Sequence, residues 1–322
     1  MHQDLNSYDH YVAQTYLRHF SCYKNHVFVY RKKTRAKRSK GPEKIKKICG
    51  EQGWDICQHL ENVYALREFL NVIEPAWNLF IQSIKDETLH EIETHEENEL
   101  PVIMKGVLYI AYLRLLSPRS IEMAQKLREG IANRLLAIQV DKIDDLTPNQ
   151  RQLIKDGKIQ VQFNDPVYFK GFSLNHLYDV SKYIYSRNWD ILINNTKTKF
   201  ITSDNPVIFK NFYMKQGQIM QIDNQFMPLY IPLTPYVGLI IRKEAGTQIS
   251  YKEALEEEVN ILNEEMVKFA TDLVVSSDNK EEPNISTWVD KYKDTSLSVV
   301  FNEINLGYQK IITMQQKPVI EV

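Results

Sequence analysis

The hydrophobic period changes partway along the chain, and that change constrains the fold more than any other feature. Before about residue 165, apolar residues recur at three- and four-residue steps, the period of a helix with one buried face. Leu60, Val63, Tyr64, Leu66, Phe69, Leu70 and Ile73 form such a stripe, and Trp77, Phe80, Ile81 and Ile84 carry it beyond Pro75. From Trp189 the apolar residues come instead in short runs parted by turn residues, at 189–193, 199–203, 206–209, 218–222, 229–231 and 237–241. These runs read as strands of one sheet. The pattern predicts an α+β protein, with a helix-rich N-terminal half packed on a strand-rich C-terminal half and one mainly antiparallel or mixed sheet. At 322 residues a single domain spanning 1–322 is expected. Two lobes are compatible with it: 1–165, mostly helical with an N-terminal strand region, and 166–322, sheet plus a long helix.

Local signals place the elements. The segment 11–20 predicts a short helix and His26 to Tyr30 a strand, with Ile45 to Ile48 as a second short strand. Pro101 to Leu116 reads as a buried helix. Ser117-Pro118 reads as a cap with proline in the first turn, opening a helix to about Val140. Thr147 with Gln150 is a capping-box start. Leu174 to Arg187 and Tyr251 to Asp272 read as further helices, and Val274-Val275 and Leu297 to Phe301 as strands.

The most lipid-like run, Gly106 to Leu113, is too short to span a bilayer. The N-terminus is polar, and three cysteines are too few for a disulfide framework, so a cytoplasmic protein without membrane contact is expected. The net charge of −1 hides two blocks of opposite sign. One is basic, from Lys24 to Lys47, and the other acidic, from Asp86 to Glu99, and they suit each other as partners. Arg31, Lys32, Lys33, Arg35, Lys37 and Arg38 in the 31–47 run are the candidates for contact with nucleic-acid phosphates.

Two stretches hold residues suited to chemistry. In the first, from Asp9 to Phe20, His10 can move protons near neutral pH and Arg18 offers a planar fork for an anion. The simpler explanation is structural: His10 caps a helix and Arg18 pairs with a carboxylate. In the second, Thr202-Ser203-Asp204-Asn205-Pro206, a strand ends in a carboxylate placed to bind a metal, orient a histidine or act as a base. An Asx turn is the competing explanation. His90 and His95 stand five apart and miss the four-residue spacing of a helical zinc site. His19, Cys22, Cys49, Cys57 and His59 contain no Cys-x-x-Cys pair. No phosphate-binding glycine loop, dinucleotide fingerprint or serine elbow is present.

Taken together, His10-Tyr11-Val12-Ala13-Gln14-Thr15-Tyr16-Leu17-Arg18 and Thr202 to Val207 resemble the bacterial family known as domain of unknown function 4238. Leu70-Asn71-Val72-Ile73-Glu74 resembles its Leu-x-x-Ile-Glu element, and Pro232-Leu233-Thr234-Pro235 its Pro-Leu-x-Pro segment. Asn263 resembles its late-helix asparagine. Ala13 stands where the family usually has proline. Arg67 and Glu68 stand where it often has a further acid. The resemblance implies His10, Arg18, Glu74, Asp204 and Asn205 as site residues, but no reaction. It also implies a setting near mobile or phage-defence genes.

Together these readings give two expectations. The first is a phosphodiester hydrolase (a nuclease) of bacterial phage defence or toxin activity. There His10 is the acid–base group, Glu74 and Asp204 orient it or hold a Mg or Mn ion, and Arg18 steadies a phosphoryl oxygen. The second is a non-enzymatic sensor or partner-binding module, acting with another protein of the same operon.

Overall fold

The computed structural model describes residues 7–33, 41–58, 60–89, 100–209, 228–280, 282–305 and 310–320. The chain opens with strand β1 (Tyr8–His10), the one-turn helix α1 (Gln14–Leu17) and a 3-10 turn (Arg18–Phe20). Strands β2 (His26–Arg31), β3 (Glu43–Lys44) and β4 (Gly50–Gln52) come next. Helices follow: α2 (Ala65–Ile73), α3 (Trp77–Lys85), α4 (Val102–Leu115), α5 (Pro118–Gln139), α6 (Pro148–Lys155), α7 (Pro166–Asn175) and α8 (Leu177–Tyr185). Then come β5 (Arg187–Ile193), β6 (Thr202–Ser203), β7 (Ile208–Phe209), β8 (Leu229–Thr234), β9 (Val237–Ala245) and β10 (Ile249–Glu253). The chain continues through α9 (Glu256–Phe269), β11 (Leu273–Ser276), α10 (Glu282–Lys291), β12 (Thr295–Asn305) and β13 (Lys310–Ile320). The α+β class is the one predicted.

The strands of the second half do not form one sheet. Five of them form a mixed sheet in the order β10-β5-β9-β8-β7, in which only β10 and β5 run parallel. β6 and β11 instead join the N-terminal β2 and β3, in the order β3-β2-β11-β6. Val274 lies opposite Tyr30 on one side and Ser203 on the other. The N-terminal strand is therefore completed by residues more than two hundred positions away. Periodicity identifies a strand but carries no information about its neighbour.

Three local expectations are corrected. Ile45–Lys47 is a 3-10 turn rather than a strand: the Ile45 amide bonds to Asn25 O and its side chain is buried. Ile249–Glu253 is a strand, with Tyr251 opposite Ile191 on β5, so the predicted helix starts only at Glu256. The helix expected over 174–187 begins earlier, breaks at His176 and ends at Tyr185. The run 218–222 lies outside the described residues.

The predicted caps form. Ser117 Oγ accepts from the Ser120 amide with Pro118 in the first turn, and Thr147 and Gln150 close a capping box. Buried α4 runs through the main core. A Cβ on Gly106 would collide with the Phe80 ring, so glycine lets α3 and α4 approach. Trp77 then packs against Tyr16, Phe80 and Tyr109, with ring centroids 6.0, 5.3 and 4.8 Å apart. Among the described residues no helix is long and apolar enough to cross a membrane.

Candidate functional site

The motif residues gather in two places with different chemistry. The first is a joint between sheets. The Tyr16 hydroxyl donates to Pro232 O at 2.6 Å and lies 2.8 Å from Thr202 Oγ1. One buried phenol thus ties together the N-terminal motif, the Thr-Ser-Asp-Asn-Pro stretch and the Pro-Leu-x-Pro segment. Asn263 on α9 receives the Ile201 amide at 3.1 Å and donates to Lys199 O at 2.8 Å.

Asp204 is the centre of this joint. It is 2% exposed, and its two oxygens accept the amides of Thr271, Asp272 and Leu273 at 2.8, 2.8 and 2.9 Å. Burial pushes its carboxyl up, and the three amides pull it back. Asn205 is equally occupied. Its amide nitrogen donates to Phe269 O at 3.1 Å, and its carbonyl accepts from Ser117 Oγ at 2.9 Å. These bonds fix the turn from α9 into β11 and seat the start of α5 against it. The expected role of Asp204 in orienting His10 or holding a metal ion is corrected here. Asp204 is turned onto the 271–273 backbone, whose N–H groups stand where a metal ion would have to sit.

His10 has its own surroundings. It ends β1, opposite Gly50 on β4, with its ring edge-to-face on Tyr8 at 5.2 Å. Nε2 is buried without a hydrogen-bond partner among the described residues. Burial lowers its pKa, against the backbone of Lys46 and Ile45 and the charge of Asp9. It is held neutral near pH 7.

The basic run is largely engaged where it is described. Arg31 grips Glu43 through two bonds of 2.6 and 2.8 Å. Lys32 is 5% exposed, and its ammonium donates to Val267 O, Lys268 O and Ala270 O at the end of α9. Burial lowers its pKa to about 8. Lys32 is therefore a helix cap, corrected from a phosphate contact. Lys33 is exposed. Arg35, Lys37 and Arg38 lie outside the described residues, as do the acidic residues 90–99 and the His90/His95 pair.

The second gathering is a carboxyl pair. Glu74 follows α2, where Pro75 turns the chain into α3, and is half-buried beside exposed Arg18. Asp55 comes from the turn after β4, closed by the Ile56 amide on Gly53 O at 3.1 Å. Gly53 takes the left-handed φ of 66° that this turn needs. Burial pushes Glu74 up to about 7; the charge of Asp55 adds to this and Arg18 opposes it. Burial pushes Asp55 up to about 7 as well; Asp9 adds to this, while Arg67 and Lys170 oppose it. Asp55 Oδ1 is buried without a hydrogen-bond partner among the described residues.

The cations around the pair are held in place. Arg67 bonds both oxygens of Asp9 at 3.1 and 3.0 Å. Lys170 on α7 donates to Trp54 O at 2.8 Å and lies over the Trp54 ring. Beneath, the phenols of Tyr109 and Tyr112 on α4 are pushed well above their ordinary range, by burial first and then by the nearby carboxylates.

Of the expected residues, the structure thus brings Arg18 and Glu74 together and directs Asp204 and Asn205 elsewhere. Asp9, Asp55, Arg67 and Lys170 were not singled out as site residues. Asp55 had a usable signal, a carboxylate after Gly53 in a tight turn, but no motif marked it. It supplies a second acid beside Glu74. Glu68, nearer in sequence, instead accepts from Asn62 at 2.7 Å on the exposed side of α2.

Cys49 and Cys57 are buried, and the Cys22 thiol donates to His26 O at 3.0 Å. Among the described residues no group of three metal-ligating side chains forms.

No curated protein and no solved structure matches the chain. The family described as "Protein of unknown function (DUF4238)" matches residues 8–280, which include both the joint and the carboxyl pair. The chain belongs to this family.

Proposed function

We propose that the protein is a phosphodiester hydrolase whose acid–base pair is Glu74 and Asp55, with Arg18 as the anion-binding group. The observation that carries this reading is two neighbouring half-buried carboxyls pushed up to about 7, beside an exposed guanidinium. A carboxyl titrating near the working pH can both take and give a proton, and the charge of Asp55 helps to keep Glu74 protonated. In this scheme one carboxylate takes the proton of an attacking water. The other, still protonated, gives its proton to the leaving oxygen, and Arg18 holds a non-bridging oxygen. Nuclease activity in phage defence or as a toxin is the setting that the family resemblance implies.

The assay uses bis(p-nitrophenyl) phosphate, DNA and RNA, with and without Mg²⁺ or Mn²⁺, because two carboxylates and a substrate oxygen suffice for Mg²⁺. Glu74→Gln and Asp55→Asn should each lower the rate by roughly 10²–10³-fold, in the range of a lost acid or base. His10→Ala should retain most activity. Wild-type turnover that persists in Glu74→Gln would assign the pair a structural role.

A second reading, partner binding, is favoured by the hairpin of β12 and β13. It lies beyond the family match and pairs only within itself among the described strands. Val299→Pro removes a ladder donor from it. If the hairpin binds a protein of the same operon, that variant loses copurification and keeps diester hydrolysis.

A further inference from the structure

A cavity of about 350 Å³ lies between α5, α7 and the segment that joins α6 to α7, lined by Arg128, Phe163, Asn164, Asp165, Tyr168 and Phe169. Its walls are fixed by the backbone. Gln125, Glu129 and Asn133 stand four residues apart on one face of α5 and hold the passing chain. Gln125 donates to Phe163 O at 2.6 Å, and Glu129 accepts the Phe163 amide at 2.9 Å. Asn133 accepts the Val161 amide at 2.5 Å and donates to Val161 O at 3.1 Å. Phe163 is therefore an anchored ring in an irregular segment.

Three rings meet at this cavity. Buried Phe169 forms its floor, with Phe163 and Tyr168 edge-on to it at 5.6 and 5.3 Å. Tyr168 is 52% exposed and Phe163 36%, both high for rings held this firmly. The cation beside them is also unusual. Half-buried Arg128 lies over Phe172, its Cζ 3.7 Å from the ring centroid. Among the described residues no carboxylate pairs with it. An orienting ring on one face leaves the N–H edge of the guanidinium available to an anion. Asn164 and Asp165 add hydrogen-bonding groups at the rim.

We propose that this cavity is a nucleotide-binding subsite, in which a base stacks on Phe163 and Tyr168 and its phosphate is held by Arg128. Aromatic faces accept any base, and a planar cation accepts the phosphate, so the site selects a nucleotide over either half alone. The same helix serves both places: Tyr168 and Phe169 of α7 line the cavity, and Lys170 of α7 donates to Trp54 O. The cavity's role as a substrate subsite rests on the hydrolase reading, whereas nucleotide binding does not.

Calorimetric titration of the full chain with 5′-AMP, adenosine and inorganic phosphate tests this. AMP should bind more tightly than adenosine or phosphate. Arg128→Gln should weaken AMP roughly tenfold and leave adenosine unchanged. Tyr168→Ala should weaken AMP and adenosine alike, also roughly tenfold. Arg128→Gln removes no ring from the walls, so it remains informative if Tyr168→Ala unfolds. Glu74→Gln should bind AMP as the wild type does. AMP that fails to bind, or binds unchanged in Arg128→Gln, overturns the subsite even if diesters are cleaved. AMP binding with this dependence in a protein that cleaves no diester keeps the subsite and removes the hydrolase.

Discussion

Two carboxylate sites in this molecule, each half made from family motifs, are built on opposite principles. At the sheet joint, Asp204 is surrounded by donors: three amides converge on it, and Asn205, Ser117 and Lys32 complete the network with no side chain left to act. At the carboxyl pair, Asp55 and Glu74 have cations near them, and one Asp55 oxygen is buried without a partner among the described residues. Both side-chain oxygens of Asp204 and both polar atoms of the Asn205 side chain are hydrogen-bonded. The pair is held under electrostatic strain by the fold around it. Strain of this kind costs stability and is retained where chemistry uses it. Asp204, read from the sequence either as a chemical carboxylate or as part of an Asx turn, has its oxygens bound by backbone amides.

The sharpest way to break this contrast is to delete each carboxylate in turn. Asp204→Ala leaves three buried amides without acceptors and should cost about 4 kcal/mol of stability, read from urea unfolding. Asp204→Asn should recover little, because its NH₂ group faces donors. Glu74→Gln should unfold at a urea midpoint no lower than that of the wild type at pH 7.5. If Asp204→Ala is as stable as the wild type yet inactive, the two sites exchange roles.

Much of the fold was legible because local chemistry decides it. The caps at Ser117 and Thr147, the buried helix after Pro101 and the strand cores at 26–30, 189–193 and 237–241 follow from residue type and period. Sheet membership was not legible. Val274 reads as a strand residue wherever it pairs, and only the folded chain places it between Tyr30 and Ser203. The site was half legible for the same reason. Glu74 and Arg18 lie in recognisable motifs, whereas Asp55 and Lys170 join them only through the Gly53 turn and the packing of α7. Lys32 shows the opposite failure. Its neighbours are basic, so it read as part of a phosphate-binding run, but the end of α9 needed a donor for its last carbonyls.

The pH dependence of stability separates the two sites by a smaller margin. Glu74 and Asp55 rise from ordinary values of 4.5 and 3.8 to about 7 in the fold. Between these limits the native protein binds protons that the unfolded chain has released, so their contribution is complete below about pH 4 and is lost as pH rises through 7. Glu74→Gln removes one of the two repelling charges. Its stability should match the wild type at pH 4 and exceed it at pH 8 by on the order of 2 kcal/mol, after allowance for partial solvent screening. Urea midpoints at the two pH values measure this. An equal gap at both would place the strain somewhere other than in the ionisation of the pair.

The smallest effect sharpens the comparison from the side of the joint. Tyr16→Phe removes one hydroxyl and no ring, so its packing on Phe20 and Trp77 stays. What is lost is the bond to Pro232 O and the contact with Thr202, leaving two buried groups short of a partner. A loss of about 1–2 kcal/mol is expected, with no change in activity at temperatures where the variant is folded. Pairing Tyr16→Phe with Thr202→Val in a double-mutant cycle isolates the shared bond. Because both residues end on the same hydroxyl, the double variant should lose less than the two singles together. Strict additivity would mean that the three motifs meet at this point in space without being energetically coupled, and the joint would then be a packing arrangement rather than a hydrogen-bonded one.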